Sequence, residues 1–372
     1  MFAPRQETDV FIAGGGPAGL AAAIAARQKG FSVVLADGSE PPIDKACGEG
    51  MMPGTLEALA ALGVRVPKGA GYRFRGIQFV ENGRRAAADF PEGNGVGIGR
   101  PILHELLIQK AKECGVRLHW KTPVTGISQE GVQVSGRVLR TRWILGADGS
   151  GSRVRKWSGL EANRLRTQRY ARRRHYRVRP WTDYMEIHWG KRAQAYVTPV
   201  STGEVCIVMM AERAEDADFD RALAGMPELR ERIIGAERSG RERGAITLMH
   251  RLRRVSKANV ALVGDASGGV DAITGEGMRL TFQQAAAVAE AMARGDLRGY
   301  GKAHRRMLMR PLWMGELILQ LGRSATLRGR MLRVFAETPE LFAQLLSIHV
   351  GRATARRVLS TGALLGWEFL AA

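Results

Sequence analysis

Six residues near the start of the chain, Gly14-Gly15-Gly16-Pro17-Ala18-Gly19, have the types and spacing to hold a pyrophosphate. Gly14, Gly16 and Gly19 fill a G-x-G-x-x-G frame, and the acidic Asp37 follows about twenty positions on. Gly14 permits a tight turn, Gly16 lets backbone approach phosphate oxygens, and Gly19 lets helix and strand pack closely. Asp37 offers a carboxylate to ribose hydroxyls. These groups work only if a strand leads into the loop and a helix leaves it, because the helix N-terminus supplies free N–H groups and a positive dipole end. The neighbouring residues meet that demand. Asp9–Ala13 reads as a short apolar strand, Leu20–Lys29 as an Ala-rich helix, and Phe31–Leu35 as a second strand ending at Asp37. The expected ligand is a dinucleotide.

Two further segments carry related chemistry. Gly146-Ala147-Asp148-Gly149-Ser150-Gly151-Ser152-Arg153-Val154-Arg155 follows a strand near Trp143–Leu145. Later, Gly264-Asp265-Ala266 ends a strand over Asn259–Val263, and Gly275-Glu276-Gly277-Met278 opens a long helix reaching about Arg294. A strand-end carboxylate beside small residues binds sugar hydroxyls without a clash. Together the three segments resemble the three fingerprints of flavoprotein aromatic hydroxylases and their relatives, the geranylgeranyl reductases and flavin-dependent halogenases. The resemblance runs roughly from Asp9 to Arg294 and implies FAD. It assigns Gly14, Gly16, Pro17, Ala18, Gly19 and Asp37 to the ADP half. It assigns Asp148 and Gly149 to the pyrophosphate region, which is linked in the family to the nicotinamide cofactor. It assigns Asp265 to the ribityl chain, and Gly275, Gly277 and Met278 to a helix end facing the flavin pyrimidine. Arg100, Val124, Cys47 and Gly48 complete the implied cofactor contacts. Only one full G-x-G-x-x-G frame is present, so NAD(P)H is expected as a transient electron donor without a domain of its own. Gly95-Val96-Gly97-Ile98-Gly99 lacks the frame and reads as a turn.

Nucleotide-type segments at the start, middle and late part of the chain imply one binding domain assembled from separated pieces. The expected fold is α/β: a Rossmann-type FAD-binding domain built from discontinuous segments (1–70, 98–165 and 255–300). A β-sheet substrate domain (71–97 and 166–254) is inserted, and a helical C-terminal region (301–372) follows. Within the insert, Gly71–Phe90 reads as two strands around a turn at Glu81-Asn82-Gly83, and Tyr170–Met210 as mostly β. Asp216–Glu237 reads as helical.

The loop Lys45-Ala46-Cys47-Gly48-Glu49-Gly50-Met51-Met52-Pro53 is expected over the flavin. It resembles the Cys-Gly-Gly-Gly loop of the reductases and echoes the Gly-Glu-Ser loop of the halogenases, matching neither fully. Cys47 is either a redox thiol or a small residue in a crowded loop; Glu49 is either a site acid or a structural carboxylate. Tyr196, in Gln194-Ala195-Tyr196-Val197-Thr198-Pro199, stands where the family carries a substrate-facing aromatic, but Thr198 replaces a large apolar residue, which argues against halogenation. His175 and His188, in the inserted β domain, are acid/base candidates. The reading is an NAD(P)H-using monooxygenase that hydroxylates an aromatic or polyketide-like small molecule, a lipophilic one included, with O2 through a flavin C4a-hydroperoxide. A reductase saturating isoprenoid C=C bonds is the alternative, and a flavin-bearing RNA-modifying or nucleic-acid-binding protein a third.

Lys and Arg exceed Asp and Glu by 56 to 36 in 372 residues, a formal charge of +20. That excess favours anionic partners. The absence of any recognition motif or aromatic interleaving argues against nucleic acid. The densest stretch, Arg164–Arg179, reads as a solvated basic face or as a dock for a phosphorylated nicotinamide cofactor. Basic residues mixed with Leu, Met and Trp313 over Arg305–Arg333 suggest a helical cap, a surface that rests on a membrane, or one that receives a greasy substrate. Three cysteines without metal-type spacing, and no basic-then-apolar leader pattern, fit a cytoplasmic protein without a metal.

Overall fold

The structure is a computed structural model that describes residues 8–128, 130–161, 165–354 and 361. Its first sheet forms where the chain is most evenly apolar. Val33–Ala36 is buried throughout and Thr8–Ala13 at all but one residue, the pattern of parallel strands covered on both faces. The strand order is Ser256–Lys257, Val260–Leu262, Thr141–Gly146, Thr8–Ala13, Val33–Ala36, Arg117–His119. All neighbours run parallel except the first pair. Segments more than two hundred residues apart in the chain (Thr8–Ala13 and Val260–Leu262) therefore share one sheet. Helix α1 (Pro17–Gln28) is almost wholly buried, and its alanines let it lie between α3 (Arg100–Glu113) and α7 (Gly277–Ala293).

A second, seven-stranded sheet stands beside it in the order Glu237–His250, Leu165–Arg177, Glu204–Ala211, Ala193–Ser201, Tyr184–Trp189, Gly76–Glu81, Arg84–Asp89. The last two strands are joined by Asn82-Gly83, both at positive φ (49° and 79°), as a two-residue hairpin of the I′ type requires. Pro199 lies inside an inner strand, and the register shifts between it and Ser201, where a residue without an N–H is tolerated.

Two expectations need correction. Gly95–Gly99 is not a turn. Gly95–Gly97 is the central strand of a small sheet with Gly50–Met51 and Tyr72–Phe74. A side chain on Gly97 would overlap the Pro199 carbonyl, so these glycines serve a close approach between sheets. Glu237–His250 is a long strand that periodicity does not reveal, because its outward residues are charged and pair with the arginine-rich strand beside it. For the same reason Arg173 and Arg174 are not part of a solvated face. They are 2% and 8% exposed, and each is ion-paired with two acids. Arg164 lies outside the described residues.

Asp216–Glu237 contains two short helices, α5 (Phe219–Ala224) and α6 (Pro227–Ile233). The C-terminal region continues as α8 (Arg298–Arg323), α9 (Ala325–Glu337) and α10 (Pro339–Val350); 355–360 and 362–372 fall outside the described residues. Helices α9 and α10 pack on the edge strand Arg84–Asp89. Among the described residues no helix is long and apolar enough to cross a membrane.

Candidate flavin site and adjoining chamber

The strand ends and helix starts of the first sheet open onto a cavity of about 570 Å³. The first loop contributes Gly14, Gly16, Pro17 and Ala18. Asp37 and Val124 line the next wall, Cys47, Gly48 and Glu49 a third, and Arg100 heads α3 beside them. Asp148, Gly149, Asp265, Gly275, Gly277 and Met278 close the opposite side, and Tyr196 reaches in from the second sheet. His175 and His188, the acid/base candidates of the sequence, are absent from the wall, and of the expected cofactor residues so is Gly19. It lies inside the turn, where a side chain would overlap the Gly14 carbonyl.

The glycines divide by what surrounds them. Gly14 has φ +112°, and a side chain there would run into the Ala147 carbonyl. Gly16 has ordinary φ (−71°), and a methyl group on it would meet no protein atom within 4 Å. The space beside Gly16 therefore belongs to the cavity, as does that beside Gly277. Asp37 accepts the Gly15 N–H at 2.6 Å and the Ser39 N–H at 2.7 Å, so it braces the loop while facing the cavity. His104, which sequence reasoning missed, supports the loop from beneath. Its Nδ1 accepts the Ile43 N–H at 3.4 Å, so its Nε2 donates to the Gly15 carbonyl at 2.8 Å. Burial holds this imidazole below its ordinary value, hence neutral.

The two later aspartates differ. Both Asp148 oxygens are taken within its own loop, by Ser152 Oγ and by the N–H groups of Arg153 (2.7 Å) and Val154 (3.1 Å) at the start of α4 (Arg153–Trp157). Asp148 thus shapes the turn that Gly149 completes at φ +83°. Asp265 is exposed on the cavity wall, and its carboxylate has no partner among the described residues. The Arg100 Nε is buried without a partner. An open cradle at Gly16 and Gly277, a free carboxylate and an unpaired guanidinium nitrogen fit a long ligand carrying both phosphates and hydroxyls. FAD has that donor and acceptor set.

The loop Lys45–Gly50 is held by one buried cation. Arg173 donates to both Asp44 oxygens (2.8 and 2.9 Å), to Glu49 Oε1 (2.9 Å) and to the Lys45 carbonyl (3.2 Å). Glu49 Oε1 also accepts the Arg100 N–H at 2.9 Å, and Oε2 meets His175 Nε2 at 2.7 Å. Glu49 has φ +57°, a left-handed conformation uncommon for a glutamate, which these partners sustain. Cys206 lies with Glu49 and His175 close enough to suggest a metal cluster. The Arg173 guanidinium already pairs with the Glu49 carboxylate at 2.9 Å. Burial pushes the Cys206 thiol well up, so it stays protonated. His188 bonds Glu186 at 2.9 Å away from the cavity wall, so of the two histidines only His175 communicates with the site. Tyr196 bonds Gln194, which Arg169 also engages (3.3 and 2.7 Å); burial pushes its hydroxyl up, so it remains a neutral donor.

A second chamber, about 100 Å³, lies between the second sheet and α8–α10. It shares Gly50, Met185 and Gly275 with the wall of the first cavity. Apart from Thr274 and His349 its lining is aliphatic, aromatic, methionine or glycine. Thr274 Oγ1 donates to the Asp271 carbonyl and His349 Nε2 to the Thr274 carbonyl, while His349 Nδ1 and Trp189 Nε1 are buried without a partner. Trp189, Phe79, Phe342 and Phe335 stack in sequence at 4.7, 4.9 and 4.8 Å along one side.

Comparison with known proteins agrees with this geometry. Residues 7–306 match the FAD binding domain family. The chain is 26% identical to a menaquinone reductase of Mycolicibacterium smegmatis, over 80% of each protein. It is likewise 26% identical to a 6-methylpretetramide 4-monooxygenase of Streptomyces rimosus, over 95% of each. In fold it resembles a triple mutant of the flavin-dependent brominase Bmp2, with a TM-score of 0.79 at 18% identity over 97% of this chain and 100% of that one.

Proposed function

The chain belongs to the FAD binding domain family and is an FAD-dependent oxidoreductase, and from that premise we propose that it is an NAD(P)H-using monooxygenase of an aromatic or polyketide-like small molecule. The reaction consumes NAD(P)H, a proton and O2, places one oxygen atom on an electron-rich carbon, and releases NAD(P)⁺ and water. Bound FAD supplies the redox chemistry; the protein supplies binding, orientation and exclusion of water. In this reading Gly14–Gly19 and Asp37 seat the ADP half, Asp265 and Arg100 the chain, and the start of α7 the flavin edge. There the helix dipole favours negative charge on the reduced ring. Glu49, held by Arg173, fixes the loop that covers the ring.

The observation that carries the choice is the similarity to the monooxygenase over almost the full chain, which takes in the helices closing the second chamber. A second reading, hydride delivery to a C=C bond of an isoprenoid, is supported by the apolar lining of that chamber and by the likeness to a menaquinone reductase. Incubation with NADPH, a phenolic panel and ¹⁸O2 separates the two. Incorporation of one labelled oxygen with matched O2 uptake is expected. Anaerobic gain of two hydrogens by a prenyl substrate, with no label under air, overturns the proposal.

A further inference from the structure

We propose that the substrate is amphiphilic: a reactive ring at the flavin cavity joined to an unbranched apolar chain lodged in the chamber under α8–α10. This rests on the monooxygenase reading for the ring, but the chain site stands on its own geometry. The chamber adjoins the flavin cavity, and the two share Gly50, Met185 and Gly275 as a common wall. Gly50 carries no side chain across the junction, and one placed there would press on the Met185 sulfur at 3.0 Å. The polar atoms inside are few: Thr274 Oγ1 donates to the Asp271 carbonyl and His349 Nε2 to the Thr274 carbonyl, which leaves Trp189 Nε1 and His349 Nδ1 as the unpartnered ones, and burial keeps His349 neutral. A ligand there gains mainly by hiding hydrocarbon from water. The stack from Trp189 to Phe335 gives the chamber one continuous aromatic wall against which a chain can lie. The ring cannot occupy this chamber and also react, because the residues expected around the flavin line the other cavity.

The test uses the FAD-loaded enzyme, 4-n-alkylphenols of rising chain length, and the neutral dye N-phenyl-1-naphthylamine as a probe displaced by n-alkanols. Affinity should rise about fourfold per added methylene, the equivalent of about 0.8 kcal/mol, until the chamber is full. Leu317→Trp, at a half-buried lining position on α8, should shorten the best chain while leaving dye-free folding and the affinity for unsubstituted phenol unchanged. Ile318→Trp serves as the second variant if Leu317→Trp melts early. Length-dependent displacement that Leu317→Trp abolishes supports the chain site even if no oxygen is inserted, in which case the monooxygenase reading alone fails. Hydroxylation indifferent to chain length, with no displacement by alkanols, overturns the chain site and leaves that reading standing.

Discussion

At the scale of single residues, the glycines of the first loop separate folding from binding. Gly14 is required by its own backbone: positive φ and contact with the Ala147 carbonyl leave no room for a methyl group. Gly16 is required by nothing in the protein, since its φ suits any residue and the space beside it is open. Gly14→Ala is therefore expected to destabilise the fold by about 2 kcal/mol or more. Gly16→Ala should melt like the wild type without FAD yet bind FAD at least about tenfold more weakly, because backbone approach to the pyrophosphate is lost. Thermal melts of the FAD-free proteins and titration of FAD fluorescence check both halves. An unchanged affinity in Gly16→Ala would remove the pyrophosphate from that position. The spacing of the motif carried this much, because glycine at fixed intervals encodes close approach directly. It did not reveal His104 or Arg173. Each acts on a loop from far away in sequence, and neither carries a local signature.

At the scale of elements, α8 is fastened to the flavin sheet through a buried histidine. His304 Nε2 meets Ser267 Oγ at 2.9 Å, and Tyr300 on the previous turn donates to the Leu262 carbonyl at 2.7 Å. Burial pushes His304 down to about 4, and it lowers His104 and His349 in the same direction. A folded-state value below the unfolded one, about 6.5, means that the unfolded chain takes up the proton first as pH falls. Stability is then complete above about pH 6.5, declines between 6.5 and 4, and levels off below. His304 alone should account for a loss of about 2 kcal/mol between pH 7.5 and 5. Urea unfolding of wild type and His304→Gln at the two pH values should show the wild type losing more by that amount; equal losses would place the pH dependence elsewhere. That the C-terminal region is helical was legible from its periodicity. That it roofs an apolar chamber was not, because chamber and core use the same residues and only the packing of α9 and α10 on the Arg84–Asp89 strand distinguishes them.

At the scale of the whole molecule, the charge of +20 has to be placed before it explains anything. Part of it is spent inside: Arg169, Arg173, Arg174 and Arg328 are buried and paired with acids. This is why a basic run in the sequence proved a poor guide to a surface. Outside, α8 presents Lys302, Arg305 and Arg306 on one flank, with Met309 and Trp313 one turn apart and 68% and 56% exposed. Cations beside exposed apolar side chains on a helix that covers an apolar chamber make a surface suited to an anionic bilayer. No described helix can span one, so a contact with such a bilayer would be peripheral and governed by screening. The protein is expected to sediment with phosphatidylserine-containing vesicles at low salt, to be released at high salt, and to ignore neutral vesicles. Trp313→Ala should weaken binding to anionic vesicles several-fold while leaving the release by salt in place, because the indole contributes burial and the basic residues contribute charge. Equal competition by RNA and by free lipid headgroups, with no effect of Trp313→Ala, would mean that the charge attracts any polyanion and that α8 holds no particular surface for a membrane.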